Sequence, residues 1–346
     1  MLGGVKMRSK TKHLQDAILK ALSEDEAPAG AVKLIRRLRV MGLDMQPRTV
    51  RAYLLELDNK GFTELESRRK GRKLTERGRR ELTNTNVYSK LGFLAAKVDE
   101  YGCQMTYSLR SGKGTVVANM ALIRERDLSR ALLFMAPAFH AGVGVSNRIA
   151  VVRAGSSISD FSVPLGSIAM VTISSVTING ILLSKGIPVT SRFGGLLEMR
   201  DGTPLRFIDV IEYNGTTINP IELFSSAGMT EISKYAKTGR GVVGAVFCEI
   251  PACSVKAAKN VFARMHEWGL SGDIVMGEAS LPLLDIPVTE GRTGLILMGG
   301  INPLAVLHEV GIPVTTRSLS GVVDIARFSS FEDAERLGRP GPRYVD

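Results

Sequence analysis

The chain is poor in the residues from which a catalytic or metal centre is assembled. Its 346 residues include three cysteines, Cys103, Cys248 and Cys253. The number is odd and no CxxC pair occurs, so a zinc ribbon and a thiol-exchange motif are excluded. All three are expected to be small buried apolar residues. His140, His266 and His308 are scattered, without HxH or HxxxH spacing or an acidic cluster beside them. They read as core or surface residues rather than as ligands. No apolar run approaches the roughly 20 residues of a membrane span, and the opening MLGGVKMRSKTKHLQ lacks the apolar centre of a signal peptide. The expectation is a cytoplasmic protein without metal, cofactor or catalytic residue.

Charge is present but unevenly placed. The net charge is +11, and residues 1–90 hold 21 Lys and Arg against 11 Asp and Glu, while residues 91–346 hold 24 against 23. The basic excess therefore lies in the first quarter, which marks that segment as a footprint for a polyanion.

Within that quarter, Leu14, Ile18 and Leu22 stand four residues apart in a helical stretch from Ser9 to Ser23, and Leu34, Ile35 and Leu38 repeat the pattern between Ala29 and Met41. Pro47 opens a third helix, where its missing N–H has no partner to lose. Val50, Leu54 and Leu57 form its apolar stripe, and Gly61 ends it. Two short strands around the tip ESRRKGR follow, which makes a winged helix-turn-helix. In that motif the third helix enters the major groove of double-stranded DNA with its N-terminal residues at the base edges. Gln46, Arg48, Thr49 and Arg51 hold those places, and Tyr53 either stacks or joins the core. Arg68, Arg69, Lys70, Arg72 and Lys73 would follow phosphates from the wing.

The neutral remainder says almost everything twice. GIPVTSR at 186–192 returns as GIPVTTR at 311–317, GKGTVVANMALI at 112–123 returns as GRGVVGAVFCEI at 239–250, and VPLG at 163 faces IPVT at 286. Ile178-Asn179 faces Ile301-Asn302, each pair opening an apolar helical segment. The repeat predicts two similar α/β units at about 112–199 and 239–326, each built of buried strands and helices. Residues 200–238 read as a loop-rich connection packed across them, and 331–346 as a tail. The fold class is then α/β (α+β overall): a winged helix at 1–90 and a duplicated regulatory module at 91–330.

In the doubled phrase Gly, Ile, Pro and Val suffice for a helix-to-strand junction. Thr190, Ser191, Arg192 and their counterparts Thr315, Thr316, Arg317 are free for chemistry. Two hydroxyls and a guanidinium suit a carboxylate or phosphate, although either arginine could instead pair with an acid of the fold. With Asn179 and Asn302 they form the candidate effector contacts.

A winged helix followed by this duplicated module, with GIPVTSR, NPIELFSSAGMT and MGGINPLAVLHEVGIP, resembles the nitrogen-regulatory repressor family known as NrpR. The resemblance covers about residues 10–326. It implies a homodimeric repressor on an inverted-repeat operator, released when the dicarboxylate 2-oxoglutarate binds the regulatory module. The alternative is an α/β enzyme acting on a nucleotide or phosphorylated metabolite, with the winged helix as a recruitment domain.

Overall fold

Helices α1 (14–23), α2 (Ala31–Val40) and α3 (Pro47–Asn59) bury Ile18, Leu22, Leu34, Leu38, Val50, Leu54 and Leu57 in one small core. The structure is a computed structural model and describes residues 14–23, 28–40, 43, 45–67, 69–89, 94–159, 161–272 and 275–338. The start of the expected first helix, residues 9–13, lies outside them. The chain divides into two units, Met1–Leu91 and Gly92–Asp346. In the first, β1 (Thr63–Ser67) pairs antiparallel with β2 (Gly71–Leu74), and α4 (Glu76–Ser89) follows. Strand β2 also exchanges two backbone hydrogen bonds between Arg72 and Ala29, which ties the wing to the start of α2.

Gly71 makes that tie possible. Its φ is 101°, and a Cβ at this position would overlap the Ala29 backbone. Gly71→Ala combines left-handed strain with a backbone clash, and it should destabilise the winged helix by about 1–3 kcal/mol. Urea unfolding of the variant checks this; an unchanged midpoint would show that the wing can move off Ala29 at no cost.

The second unit begins with α5 (Leu94–Gln104). The first copy of the repeat runs β3 (Thr115–Arg124), α6 (Leu128–His140), β4 (Arg148–Arg153), the two-residue strands β5 (Ser157–Ile158) and β6 (Phe161–Ser162), β7 (Ser167–Ile173), α7 (Val176–Ser184) and β8 (Thr190–Arg200). A bridge follows, made of β9 (Thr203–Glu212), α8 (Pro220–Ser226) and α9 (Ile232–Thr238). The second copy runs β10 (Gly241–Pro251), α10 (Val255–Glu267), β11 (Val275–Ala279), β12 (Arg292–Met298), α11 (Asn302–Glu309), β13 (Val314–Arg317) and β14 (Val322–Asp324). The described chain closes with β15 (Ser329–Ser330) and α12 (Phe331–Gly338).

The copies correspond down to hydrogen-bond register. Ala118 faces Ile173 between β3 and β7, and Ala245 faces Met298 between β10 and β12, the same pairing moved by 127 and 125 residues. Among the described residues two large sheets result, ordered β13-β3-β7-β4-β15, with β14 also on β3, and β11-β12-β10-β8-β9, beside the small β5-β6 pair.

Strand β8, the last of the first copy, lies in the second copy's sheet against β10. Strands β13 and β14, the last of the second copy, lie in the first copy's sheet against β3. The copies have exchanged their final strands, and the doubled phrase is the point of exchange. Gly186 (φ 75°) and Gly311 (φ 68°) close α7 and α11 just before each crossing. The two cores are thereby one continuous core.

Three expectations need correction. Among the described residues every strand pair is antiparallel, so of the two class terms α+β describes the module. The bridge is not mainly loop: β9 adds a ten-residue edge strand, and Ile221, Phe224 and Ile232 bury the two short helices. Nor does a tail begin at 331, because Phe331 is fully buried and stacks on Phe139 of α6, with Ala334 buried beside it. Residues 339–346 lie outside the described residues.

Candidate functional site

The first candidate surface is the N-terminal turn of α3. Gln46 is the N-cap residue, extended and without a side-chain cap bond, and Gln46, Arg48, Thr49 and Arg51 are all exposed. Val50, Leu54 and Leu57 anchor the opposite face of the helix. Neither Arg48 nor Arg51 has a partner among the described residues, so both guanidiniums are available to an incoming acceptor. Tyr53 is half-buried against the core, which favours packing over stacking.

The wing residues separate by environment. Arg72 points inward: its Nε donates to Asp58 Oδ2 at 2.7 Å, and Thr63 Oγ1 donates to Oδ1 of the same carboxylate at 2.6 Å. This pair fastens the wing to the end of α3, so Arg72 is a positioning residue and not a free cation. Lys70 pairs with Glu66 at 2.8 Å and Lys73 with Glu64 at 3.3 Å, both on the surface, where such pairs are weak. Arg69 is exposed without a partner among the described residues, and Arg68 lies outside them.

The doubled phrase does not form one site. Strand exchange carries Thr190, Ser191 and Arg192 into one sheet and Thr315, Thr316 and Arg317 into the other. At the first location Arg192 Nη1 donates to Glu249 Oε1 at 2.5 Å. Arg292 Nε lies 3.4 Å from Glu249 Oε2, and Arg292 Nη2 donates to Thr190 Oγ1 at 2.9 Å. The Glu249 side chain is only 2% exposed and that of Arg192 38%. Drawing Arg192 away towards a ligand would take from a buried carboxylate its shortest partner and leave it Arg292 and the Thr289 N–H, a larger loss than breaking a surface pair. Arg192 is therefore committed to the fold, the alternative role open to it from the sequence. Ser191 accepts a hydrogen bond from Asn179 Nδ2 at 3.0 Å and lies 3.6 Å from Cys248 Sγ. Burial pushes the Cys248 thiol up to about 12, which removes it from thiolate chemistry. Cys248 is the buried cysteine expected; Cys103 and Cys253 are exposed instead.

At the second location there is no acid to match Glu249. Its counterpart on β3 is Leu122, opposite Thr315, and the Arg317 side chain is exposed with no partner among the described residues. Thr316 lies 3.2 Å from His308 Nε2. Burial holds the His308 pKa below its ordinary value, against the opposing pull of Glu222.

Asn179 and Asn302 are not counterparts. Asn302 is fully buried: its Oδ1 accepts from Gly244 N at 3.0 Å, and its Nδ2 donates to Gly244 O at 2.8 Å and Val143 O at 2.9 Å. The residue doing that work in the first copy is Thr177, whose Oγ1 bonds both N–H and C=O of Val117, the counterpart of Gly244. Asn302 is thus a strand-to-helix clamp and unavailable to an effector. Nearby, Gly300 packs against the Ile173 carbonyl of the other copy, and Gly300 O accepts from Thr172 Oγ1 at 2.7 Å. The MGGIN glycines serve close approach of the two copies.

The residues that sequence reasoning missed are mostly partners: Asp58, Glu249, Arg292 and Thr177. For Glu249 a signal existed, an acid in an apolar strand where the other copy has Leu122.

Compared with known proteins, residues 91–330 match the NrpR regulatory domains NRD1 and 2. The chain belongs to the NrpR family. Residues 16–82 match the ribonuclease R winged-helix domain. The chain is 32% identical over 307 residues to a global nitrogen regulator NrpRI from Methanosarcina mazei, covering 89% of this chain and 94% of that one. It is 28% identical to a global nitrogen regulator NrpR from Methanococcus maripaludis, covering 91% of this chain but 54% of that longer one. Among solved structures, a nitrogen repressor-like protein from Methanococcus jannaschii is similar with a TM-score of 0.59 at 26% identity, over 69% of this chain and 98% of that one. NrpR relatives are named regulators and the matched domains are regulatory, which sets aside the enzymatic alternative. Among the described residues no helix is long and apolar enough to cross a membrane.

Proposed function

We propose that this NrpR-family chain is a cytoplasmic repressor of nitrogen-assimilation genes, that it binds an inverted-repeat operator as a homodimer, and that 2-oxoglutarate releases it. The observation that carries the DNA-binding part is the exposed, unpaired first turn of α3. Gln46, Arg48, Thr49 and Arg51 offer donors suited to guanine and adenine edges there. Arg69, Lys70 and Lys73 supply phosphate contacts from the wing, and Arg72 holds the wing in place. Family membership and the relatives' names support the regulatory part. A two-fold operator needs two reading heads, which one chain with one winged helix does not provide.

Fluorescence anisotropy on DNA from the region upstream of the chain's own gene, at fixed salt, tests this. Arg48→Ala and Arg51→Ala should each cost about 1–3 kcal/mol of specific binding, whereas Arg69→Ala should lower the salt slope by about one with little change in sequence preference. Saturating 2-oxoglutarate should weaken binding by roughly 5- to 150-fold. Unchanged affinity with 2-oxoglutarate defeats the effector reading, and unchanged specificity in both arginine variants defeats the assignment of α3.

A further inference from the structure

Among the described residues of the regulatory module, four cations converge on one cavity and are paired at the surface rather than on a buried carboxylate. A solvent-connected cavity of about 630 Å³ opens beside the hairpin between β8 and β9, and Arg200, Arg206, Lys234 and Arg240 line it together with Glu198 and Glu231. Its walls come from β8, β9, α9 and the turn before β10, so it joins the first copy's exchanged strand, the bridge and the second copy. Gly202 N donates to Gly239 O at 3.0 Å, which ties the hairpin to that turn, and Arg240 Nε donates to Asp201 Oδ1 at 2.8 Å on the surface beside it.

Each cation has an acidic neighbour, but of a different kind from the partner of Arg192. Arg206 donates to Glu198 Oε2 at 2.9 Å and Lys234 lies 3.0 Å from Glu231, and the side chains of Arg206 and Arg240 are 66% and 62% exposed. Solvent screens such pairs, so a guanidinium can turn to a new acceptor at little cost. The four cations outnumber Glu198, Glu231 and Asp201 together, and the surplus favours an anion. The corresponding turn of the first copy is closed, because Gly112 lies under the Trp268 ring.

From this geometry we infer that the cavity binds a small organic dianion, with Arg206 and Arg240 each taking one acidic group through their forked donors. The inference rests on the effector reading above and gives it a location away from the doubled phrase. A dianion held between β9 and the turn before β10 would fix the hairpin against α9, whose N-terminus is bonded by Glu309 of α11 through Ile232 N and Ser233 N. Occupancy is in this way linked to the helix layer of the module.

Isothermal titration of the full chain with 2-oxoglutarate and, separately, inorganic pyrophosphate tests the site, with R206A/R240A, K234A and R317A compared with the unmodified chain. The altered side chains are exposed, and thermal unfolding checks that each variant folds. The expected result is binding of 2-oxoglutarate that weakens at least tenfold in R206A/R240A, weakens several-fold in K234A and persists in R317A. Equal binding in R206A/R240A and the unmodified chain overturns the location while leaving the effector reading intact. If the unmodified chain binds pyrophosphate alone and R206A/R240A loses it, the cavity stands as a dianion site and the 2-oxoglutarate reading falls. Binding of neither anion overturns both.

Discussion

Glu249→Leu should destabilise the regulatory module by about 3–5 kcal/mol, because it leaves Arg192 and the less exposed Arg292 without the carboxylate that offsets their desolvation. The side chain of Arg292 is 24% exposed, and its Nε is buried with no hydrogen-bond partner beyond the ion pair. The repeat supplies the compensating change. At the place of Glu249 the first copy has Leu122, and at the place of Arg292 it has Ser167, since Leu122 faces Ala169 and Arg124 faces Ser167 just as Glu249 faces Gly294 and Pro251 faces Arg292. E249L/R292S therefore imports a solution the fold already uses and should recover at least half of the loss. Guanidinium unfolding of the single and double variants gives the coupling directly. Additive losses would mean that the two residues do not act as a pair and that the cost lies in the leucine itself.

The same residues show why the sequence was readable in some respects and not in others. The winged helix was legible because its signals are local: Pro47 starts α3, the 50-54-57 stripe sets its buried face, and Gly71 turns the wing. The α7 and α11 helices were legible for the same reason, as apolar runs bounded by Gly186 and Gly311. Nothing in GIPVTSR, however, says which sheet the next strand joins. A strand presents the same backbone and the same alternation to either neighbour, so the exchange of β8 with β13 and β14 is decided by tertiary packing alone. The commitment of Arg192 and of Arg72 to the fold was hidden on the same ground. Whether Arg192 is free depends on Glu249, 57 positions away, and whether Arg72 is free depends on Asp58, which looks in sequence like one more exposed helix acid. Charge at a sequence position was visible; its partner was not.

Asn302→Ala should cost about 3 kcal/mol, and Asn179→Ala less than about 1 kcal/mol, although the two asparagines look like counterparts in sequence. Removing the Asn302 amide strands Gly244 N and Val143 O inside the protein, and each buried group left without a partner costs about 1–3 kcal/mol. Gly244 O is spared, because Gly299 N also donates to it at 2.9 Å. Asn179 makes one bond, to Ser191, and its own Oδ1 is already buried without a partner, so truncation removes an unsatisfied atom along with the bond. Thr177→Val should fall between them, at about 1–2 kcal/mol: it orphans Val117 N, while Val117 O keeps the bond from Ser174 N at 2.8 Å. The three midpoints in one urea series, with equal slopes, decide which residue pairs with Asn302. Equal losses at 179 and 302 would restore the sequence pairing. The order 302, 177, 179 would place the clamp at the start of both apolar helices, where each copy holds its second helix to its first strand, and would leave Asn179 with its single bond to Ser191 of the exchanged strand.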